Sequence, residues 1–294
     1  MVRVADAENF YPFLLFTNIP NQIVKSWKIE DFELGIQLGE GPFSWIYSAR
    51  EKESGFIVAL KFLDKREIEK NNLEAQLLQE VENQKQMKHP NIIQLYGYFN
   101  SDDHITLILE LAPNGDLFSR LMKFGTFNPQ ETAKYMCDIC DGLSFLHRKR
   151  IIHRDVKLEN IFLGLNNEAK IGDFGCSLRK SYDVMLCGTL EYLAPEMINC
   201  TPQSEKIDSW AIGIVIYECM CGYPPFEHDS SQESYNKTVA QILKGIISFP
   251  DHLGGDCVDL ITKLLMTDPS KRLSVRDTMN HPFIRSNCSK RSLL

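Results

Sequence analysis

The chain of 294 residues lacks any apolar run long enough to cross a bilayer. Its apolar N-terminal stretch, Phe10-Tyr11-Pro12-Phe13-Leu14-Leu15-Phe16, is short and interrupted by proline. It also has neither the basic start nor the small-residue cleavage site of a signal peptide. We read it as a segment that packs on its own domain, with a docking peptide for a partner as the alternative. Positive charge is not in excess either. Lys+Arg 32 against Asp+Glu 39 leaves a formal charge of -7, so the basic footprint of a nucleic-acid binder is missing. A local acidic groove for basic peptides remains compatible with that balance. The nine cysteines include one Cys-x-x-Cys, Cys137 and Cys140, and no second pair or histidines at matching spacing, which argues against a zinc site. Cys137, Cys140, Cys219 and Cys221 fall in apolar, helix-patterned segments and are expected to behave as small buried hydrophobes. A reducing, intracellular compartment fits these thiols best. Repeats and low-complexity tracts are absent.

What is present is an ordinary globular composition, 44% hydrophobic and 24% charged, with room for a sizeable core. Short strands with intervening turns are expected from Phe32 to about Leu63, and a helix from about Leu73 to Met87 with Leu73, Leu77, Leu78 and Val81 on one face. His89-Pro90-Asn91 stops that helix, and two strands follow, Ile92 to Phe99 and His104 to Leu111. After Ala112-Pro113-Asn114-Gly115 long helical patterns dominate: about Pro129–Arg148, Lys206–Cys221, Tyr235–Leu243 and Asp256–Leu265. The expected class is therefore α+β. A small antiparallel-sheet lobe with one main helix (27–111) joins a larger, mainly helical lobe (112–284) at a short hinge, with a ligand cleft there. Residues 1–26 form an N-terminal extension and 285–294 a C-terminal tail.

The chemistry concentrates in His153-Arg154-Asp155-Val156-Lys157-Leu158-Glu159-Asn160, followed by Asp173-Phe174-Gly175. Asp155 can take a hydroxyl proton, Lys157 can balance charge on a transferring phosphoryl, and Asn160 and Asp173 can hold Mg²⁺. Upstream, Gly39-Glu40-Gly41-Pro42-Phe43-Ser44 lies between two strands and precedes Val58-Ala59-Leu60-Lys61. Gly39 and Gly41 let the backbone approach a triphosphate, and Lys61 is placed to pair with the α- and β-phosphates of ATP. Glu80 shares the inward stripe of its helix and is preferred over Glu82 as the ion-pair partner of Lys61. The adenine ring is expected between Leu38, Ile46 and Ala59 on one side and Phe162 on the other, with Leu109 at the back. Backbone groups of Glu110 and Ala112 are expected to bind its edge. Pro42 and Ser44 depart from a full glycine loop, and weaker nucleotide affinity is the expected consequence.

These motifs, in this order, give a chain that from Trp27 to Phe283 resembles a eukaryotic Ser/Thr protein kinase, and more narrowly an Aurora kinase. The narrower resemblance rests on Trp27-Lys28-Ile29-Glu30-Asp31-Phe32, Leu95-Tyr96-Gly97-Tyr98-Phe99, Leu186-Cys187-Gly188-Thr189-Leu190-Glu191-Tyr192-Leu193 and Pro224-Pro225-Phe226-Glu227. It implies ATP and Mg²⁺ as cofactors, and protein substrates with basic residues near the target Ser or Thr. An activating protein on the small lobe and a place in the cytoplasm or nucleus, at the spindle or centrosome, are implied as well. It implies further that Glu196 pairs with Arg272, that Asp208 braces the catalytic loop, and that Glu159 and Glu218 read a substrate arginine. A basophilic kinase outside the Aurora group and a weakly active nucleotide-binding scaffold are the alternatives. The chain departs from the Aurora pattern at Leu158, usually proline, and Cys176, usually tryptophan. It departs also at Val184 and Met185, which stand where Aurora kinases carry phosphorylatable threonines in a longer segment. Arg154 should then take its compensating charge from Asp183 or from a phosphate on Ser181 or Tyr182, or the segment should be ordered by a partner.

Overall fold

The computed structural model describes residues 27–41, 44–179, 188–226 and 231–288. The chain divides into two compact units. One runs through Gln86 and includes Gln94–Leu111; the other comprises Met87–Ile93 and the residues from Ala112 on.

In the first unit, β1 (Phe32–Gly41), β2 (Ser44–Glu51), β3 (Ile57–Asp64), β4 (Leu95–Asn100) and β5 (His104–Glu110) form one antiparallel sheet in the order β1-β2-β3-β5-β4. Strand periodicity sends alternate residues to opposite faces. Val58, Leu60 and Ile108 join Phe32, Ala49 and Phe99 in one cluster. Leu63, Ile105 and Leu107 join Leu77 and Val81 in another, beneath the helix α2 (Glu74–Lys85). The expected stripe on that helix is the one that packs, with Leu73 and Leu78 at its margin. The preceding helix α1 (Lys65–Lys70) was not expected; the Asp64 side chain caps it by accepting from the Arg66 amide at 2.8 Å. The fourth strand starts at Leu95 rather than Ile92. Ile92 is fully buried in the core of the second unit, and the Ile93 amide donates to the Ile171 carbonyl at 2.8 Å, so tertiary pairing overrides the apolar run.

The second unit is built on helices α3 (Leu117–Phe124), α4 (Pro129–Arg148), α5 (Pro195–Ile198), α6 (Lys206–Cys221), α7 (Gln232–Lys244), α8 (Gly255–Leu264), α9 (Val275–Thr278) and α10 (Pro282–Asn287). Two small strand pairs accompany them. One joins β6 (Ile151–Ile152) to β9 (Leu178–Arg179), the other β7 (Ile161–Leu163) to β8 (Ala169–Ile171). Asn128 caps α4 by accepting from the Glu131 amide at 2.9 Å, and Pro129 sits in the first turn, where its missing N–H costs nothing. α6 ends at Gly222 in the left-handed region (φ +87°), a conformation open to glycine at no steric cost. From Ile207 to Met220 every residue of α6 is buried, so this helix is the centre of the unit. α7 starts before the expected Tyr235 because the Ser231 side chain caps it. Among the described residues no helix is long and apolar enough to cross a membrane.

Candidate active site

Each unit carries its own set of the predicted residues. In the first, Lys61 lies on β3 between Ile46 of β2 and Leu107 of β5. Its Nζ is 3.5 Å from Glu80 Oε1, and both side chains are largely shielded, at 14% and 9% exposure. Glu82, two positions on, is exposed. Gly39 pairs with Ile46, and a Cβ on Gly39 would meet no atom within 4 Å, so the backbone there is open to close approach. A Cβ on Gly41 would instead meet Ser44 Oγ at 2.9 Å. Leu38 is exposed, Ile46 and Leu109 are half-buried, and Ala59 is buried opposite Leu109. The Glu110 amide donates to the Gln94 carbonyl at 2.8 Å, which leaves only its carbonyl for an adenine edge. Pro42 lies outside the described residues.

In the second unit the loop between β6 and β7 is held from below by Asp208 of α6. This fully buried carboxylate accepts from the amides of His153 (3.1 Å) and Arg154 (2.9 Å) and bonds His147 Nε2 at 2.7 Å. Burial alone would raise its pKa. The hydrogen bond and charge of His147, with His153 and the Arg154 amide, hold it instead below the usual carboxylate range. Arg154 sits in the left-handed region at φ +68°, a conformation that costs a non-glycine residue about 1–2 kcal/mol. The bond from its amide to Asp208 offsets that cost. The His153 ring bonds the Gly172 carbonyl at 3.0 Å and lies edge-on to the buried Phe174, tying the loop to the turn that bears Asp173. Asp173 itself is exposed, at φ +56°, separated from the end of β8 by Gly172.

Above this brace, Asp155 Oδ2 accepts from Asn160 Nδ2 at 2.8 Å and lies 3.4 Å from Lys157 Nζ. Asp155 Oδ1 is buried without a hydrogen-bond partner, so it has acceptor capacity to spare. Lys157 also donates to Thr189 Oγ1 at 2.9 Å. Asn160 uses its amide nitrogen twice on Asp155, once on the carbonyl at 2.9 Å and once on the carboxylate, so its amide oxygen is the atom left to ligate. With the exposed carboxylate of Asp173 this makes two hard oxygen donors. Such a pair suits Mg²⁺, which usually takes one or two protein oxygens and completes its shell with phosphates and water. No group of three His, Cys, Asp or Glu residues able to cage a metal occurs among the described residues. Ala112 and Phe162 are half-buried, Phe162 on β7 with its ring packed against Gly172.

Glu196 and Arg272 form a bidentate buried pair at 2.6 and 2.9 Å, as the resemblance implies. Arg272 also stacks on Trp210. Glu218 is buried and accepts the Tyr192 hydroxyl. Burial pushes its pKa up to about 7; Glu159 and Glu191 add to the rise, against the Tyr192 hydrogen bond. The Arg154 guanidinium donates to the Cys176 carbonyl at 2.6 Å and to Gln203 Oε1 at 3.4 Å. Ser181, Tyr182, Asp183, Val184 and Met185 lie outside the described residues. His147, Gln203, Thr189 and Tyr192 carry no expected role in the sequence. Thr189 and Tyr192 stand inside a motif quoted for resemblance alone, and nothing local marks the other two.

Comparison with known proteins identifies the family. The protein kinase domain family matches residues 32–284. Aurora kinase B of Mus musculus is 46% identical over 273 residues, covering 91% of this chain and 77% of the relative. Aurora kinase C of Mus musculus is 46% identical over 269 residues, covering 90% and 95%. Aurora kinase A-B of Xenopus laevis is 45% identical over 265 residues, 90% of this chain, and this chain spans 64% of its length. The chain belongs to the protein kinase family and, within it, to the Aurora kinases. Members of the family generally use ATP and Mg²⁺ and act on proteins.

Proposed function

We propose that this chain is an active Ser/Thr kinase of Aurora type that moves the γ-phosphoryl of Mg²⁺-ATP to Ser or Thr in a basic sequence context. The observation that carries the reading is Asp155, with one oxygen fixed by Asn160 and Lys157 and the other buried and unpartnered. Asp155 orients the substrate hydroxyl and takes its proton. Lys157 balances the transferring charge, and Lys61, oriented by Glu80, engages the nucleotide phosphates. Asn160 and Asp173 would hold Mg²⁺, which when bound neutralises phosphate charge. Gly39 and Gly41 would admit the triphosphate. Leu38, Ile46, Ala59, Leu109 and Phe162, with backbone groups of Glu110 and Ala112, would receive the adenine. Residues 27–111, apart from Met87–Ile93, serve as one lobe, and Met87–Ile93 with the residues from Ala112 through the helix Pro282–Asn287 as the other.

Glu159 and Glu218 are the groups we assign to a substrate arginine, since a carboxylate pair selects guanidinium by geometry as well as charge. By analogy with the Aurora relatives we propose an activating protein on the small lobe and a role at the mitotic spindle or centrosome. The test is phosphate transfer from ATP to an arginine-containing Ser/Thr peptide, wild type against Asp155→Asn. A loss on the order of 10³-fold is expected for the variant. Equal incorporation by the two proteins would reject the enzyme reading and leave the scaffold.

A further inference from the structure

The sequence pairs Cys137 with Cys140, but the structure pairs it with another residue. Cys140 is fully buried in the core, whereas Cys137 lies at the partly exposed edge of α4. There its sulfur meets that of Cys288, 151 positions later, at 2.8 Å. That separation is well inside ordinary contact between two sulfur atoms and not far above the bonded distance of about 2.05 Å. Both elements are firmly seated. α10 is anchored by the buried Phe283 and Ile284, the Cys288 amide closes its last turn on the Ile284 carbonyl at 2.8 Å, and Gln130 of α4 bonds the Asn287 side chain at 3.0 Å. Two thiols held this close on rigid supports need little backbone movement to join. Both remain partly exposed, so a small oxidant can reach them.

We propose that Cys137 and Cys288 are an oxidant-dependent disulfide pair, which closes under hydrogen peroxide and fastens α10 to α4. The Cys288 sulfur attacks one peroxide oxygen and the O–O bond breaks. The departing hydroxide takes the thiol proton as water, and Cys288 is left as a sulfenic acid. The Cys137 sulfur then attacks that sulfur, the S–O bond breaks, and the second hydroxide leaves with the Cys137 proton as water. Two thiols and one peroxide become one disulfide and two waters. Cys288 is assigned the first step because Cys137 is the hydrogen donor of the pair, and burial, with its Cys288 neighbour, pushes the Cys137 thiol up. In a reducing medium the pair rests as thiols. Closed, it cross-links a long stretch of chain, the case in which a disulfide most restricts the unfolded state.

The test is peroxide treatment of the full chain, followed by alkylation, digestion without reductant and peptide mapping, with thermal unfolding in parallel. We expect a peptide joining Cys137 to Cys288 and a rise in Tm of at least about 5 °C, reversed by dithiothreitol. Both signals should vanish in Cys137→Ser and in Cys288→Ser and survive in Cys200→Ser, which removes an exposed thiol elsewhere. Recovery of the two cysteines only as alkylated thiols, as separate sulfinic acids or joined to other cysteines would overturn the pairing. A joined peptide with unchanged Tm would overturn the tether.

Discussion

The two units hold their predicted site residues in different ways. In the first, Lys61 meets Glu80 at 3.5 Å, a long contact that spans a strand and a single helix of twelve residues. In the second, the loop around Asp155 is bonded to Asp208, Gly172 and Thr189, and Asp208, itself bonded to His147, stands on a helix buried from Ile207 to Met220. An ion pair of that length has slack in its geometry, whereas a network of buried hydrogen bonds is held to one arrangement. The comparison teaches that Asp155 and Asn160 stand on a loop bonded into its own unit's interior, whereas Lys61 is positioned by a longer contact to a single helix.

The largest effect should come from the second unit. Asp208→Ala strands two buried amides and His147, and is expected to cost about 3–5 kcal/mol of stability. By calorimetry Tm should fall by about 10 °C, and phosphotransfer should be lost with it. A variant that keeps its Tm would show that the brace is not what holds the loop. Glu80→Gln should behave in the opposite manner. It leaves the fold in place, with Tm within about 2 °C, yet lowers kcat/KM for ATP about 10²-fold through misplacement of Lys61. A drop in Tm as large as that of Asp208→Ala would erase the distinction between the units. The smallest effect is one of pH. Glu218, raised to about 7, is protonated and uncharged below that pH and carboxylate above it. kcat/KM for an arginine-containing peptide should therefore rise as pH climbs from 6 to 8, about tenfold more than for the same peptide with the arginine replaced by alanine. Glu218→Gln should flatten the difference, and a wild-type profile identical for both peptides would remove Glu218 from arginine recognition.

The parts of this protein that sequence reasoning reached are those whose physics is local. α4 and α6 carry their boundaries in adjacent residues, Asn128-Pro129 at one start and Gly222 at the other's end. Asp155, Lys157 and Asn160 lie within six residues of one another and meet through short bonds. What escaped depends on partners far along the chain or on short capped turns. The short α1 and α3 hang on the side chains of Asp64 and Asp116, too little pattern to register as helices. Ile92 reads as strand from its apolar neighbours, yet its pairing with Ile171 belongs to the other unit. Tyr192 with Glu218, Arg154 with Gln203 and Cys137 with Cys288 join positions that no periodicity connects. The brace at Asp208 was foreseen through family resemblance alone.

The pair of Glu196 and Arg272 sets a condition on how this protein is made. Arg272 is fully shielded and its donors go to Glu196, to the Lys206 carbonyl at 2.7 Å and to the Met266 carbonyl at 2.9 Å. During synthesis the carboxylate leaves the ribosome 76 residues ahead of its guanidinium, an interval of roughly 4–15 s at ordinary elongation rates. Throughout that interval the interior place of Glu196 would hold an unanswered negative charge, which no folded intermediate can tolerate at low cost. The nascent helical unit must therefore wait, open and in need of shelter, until Arg272 has emerged.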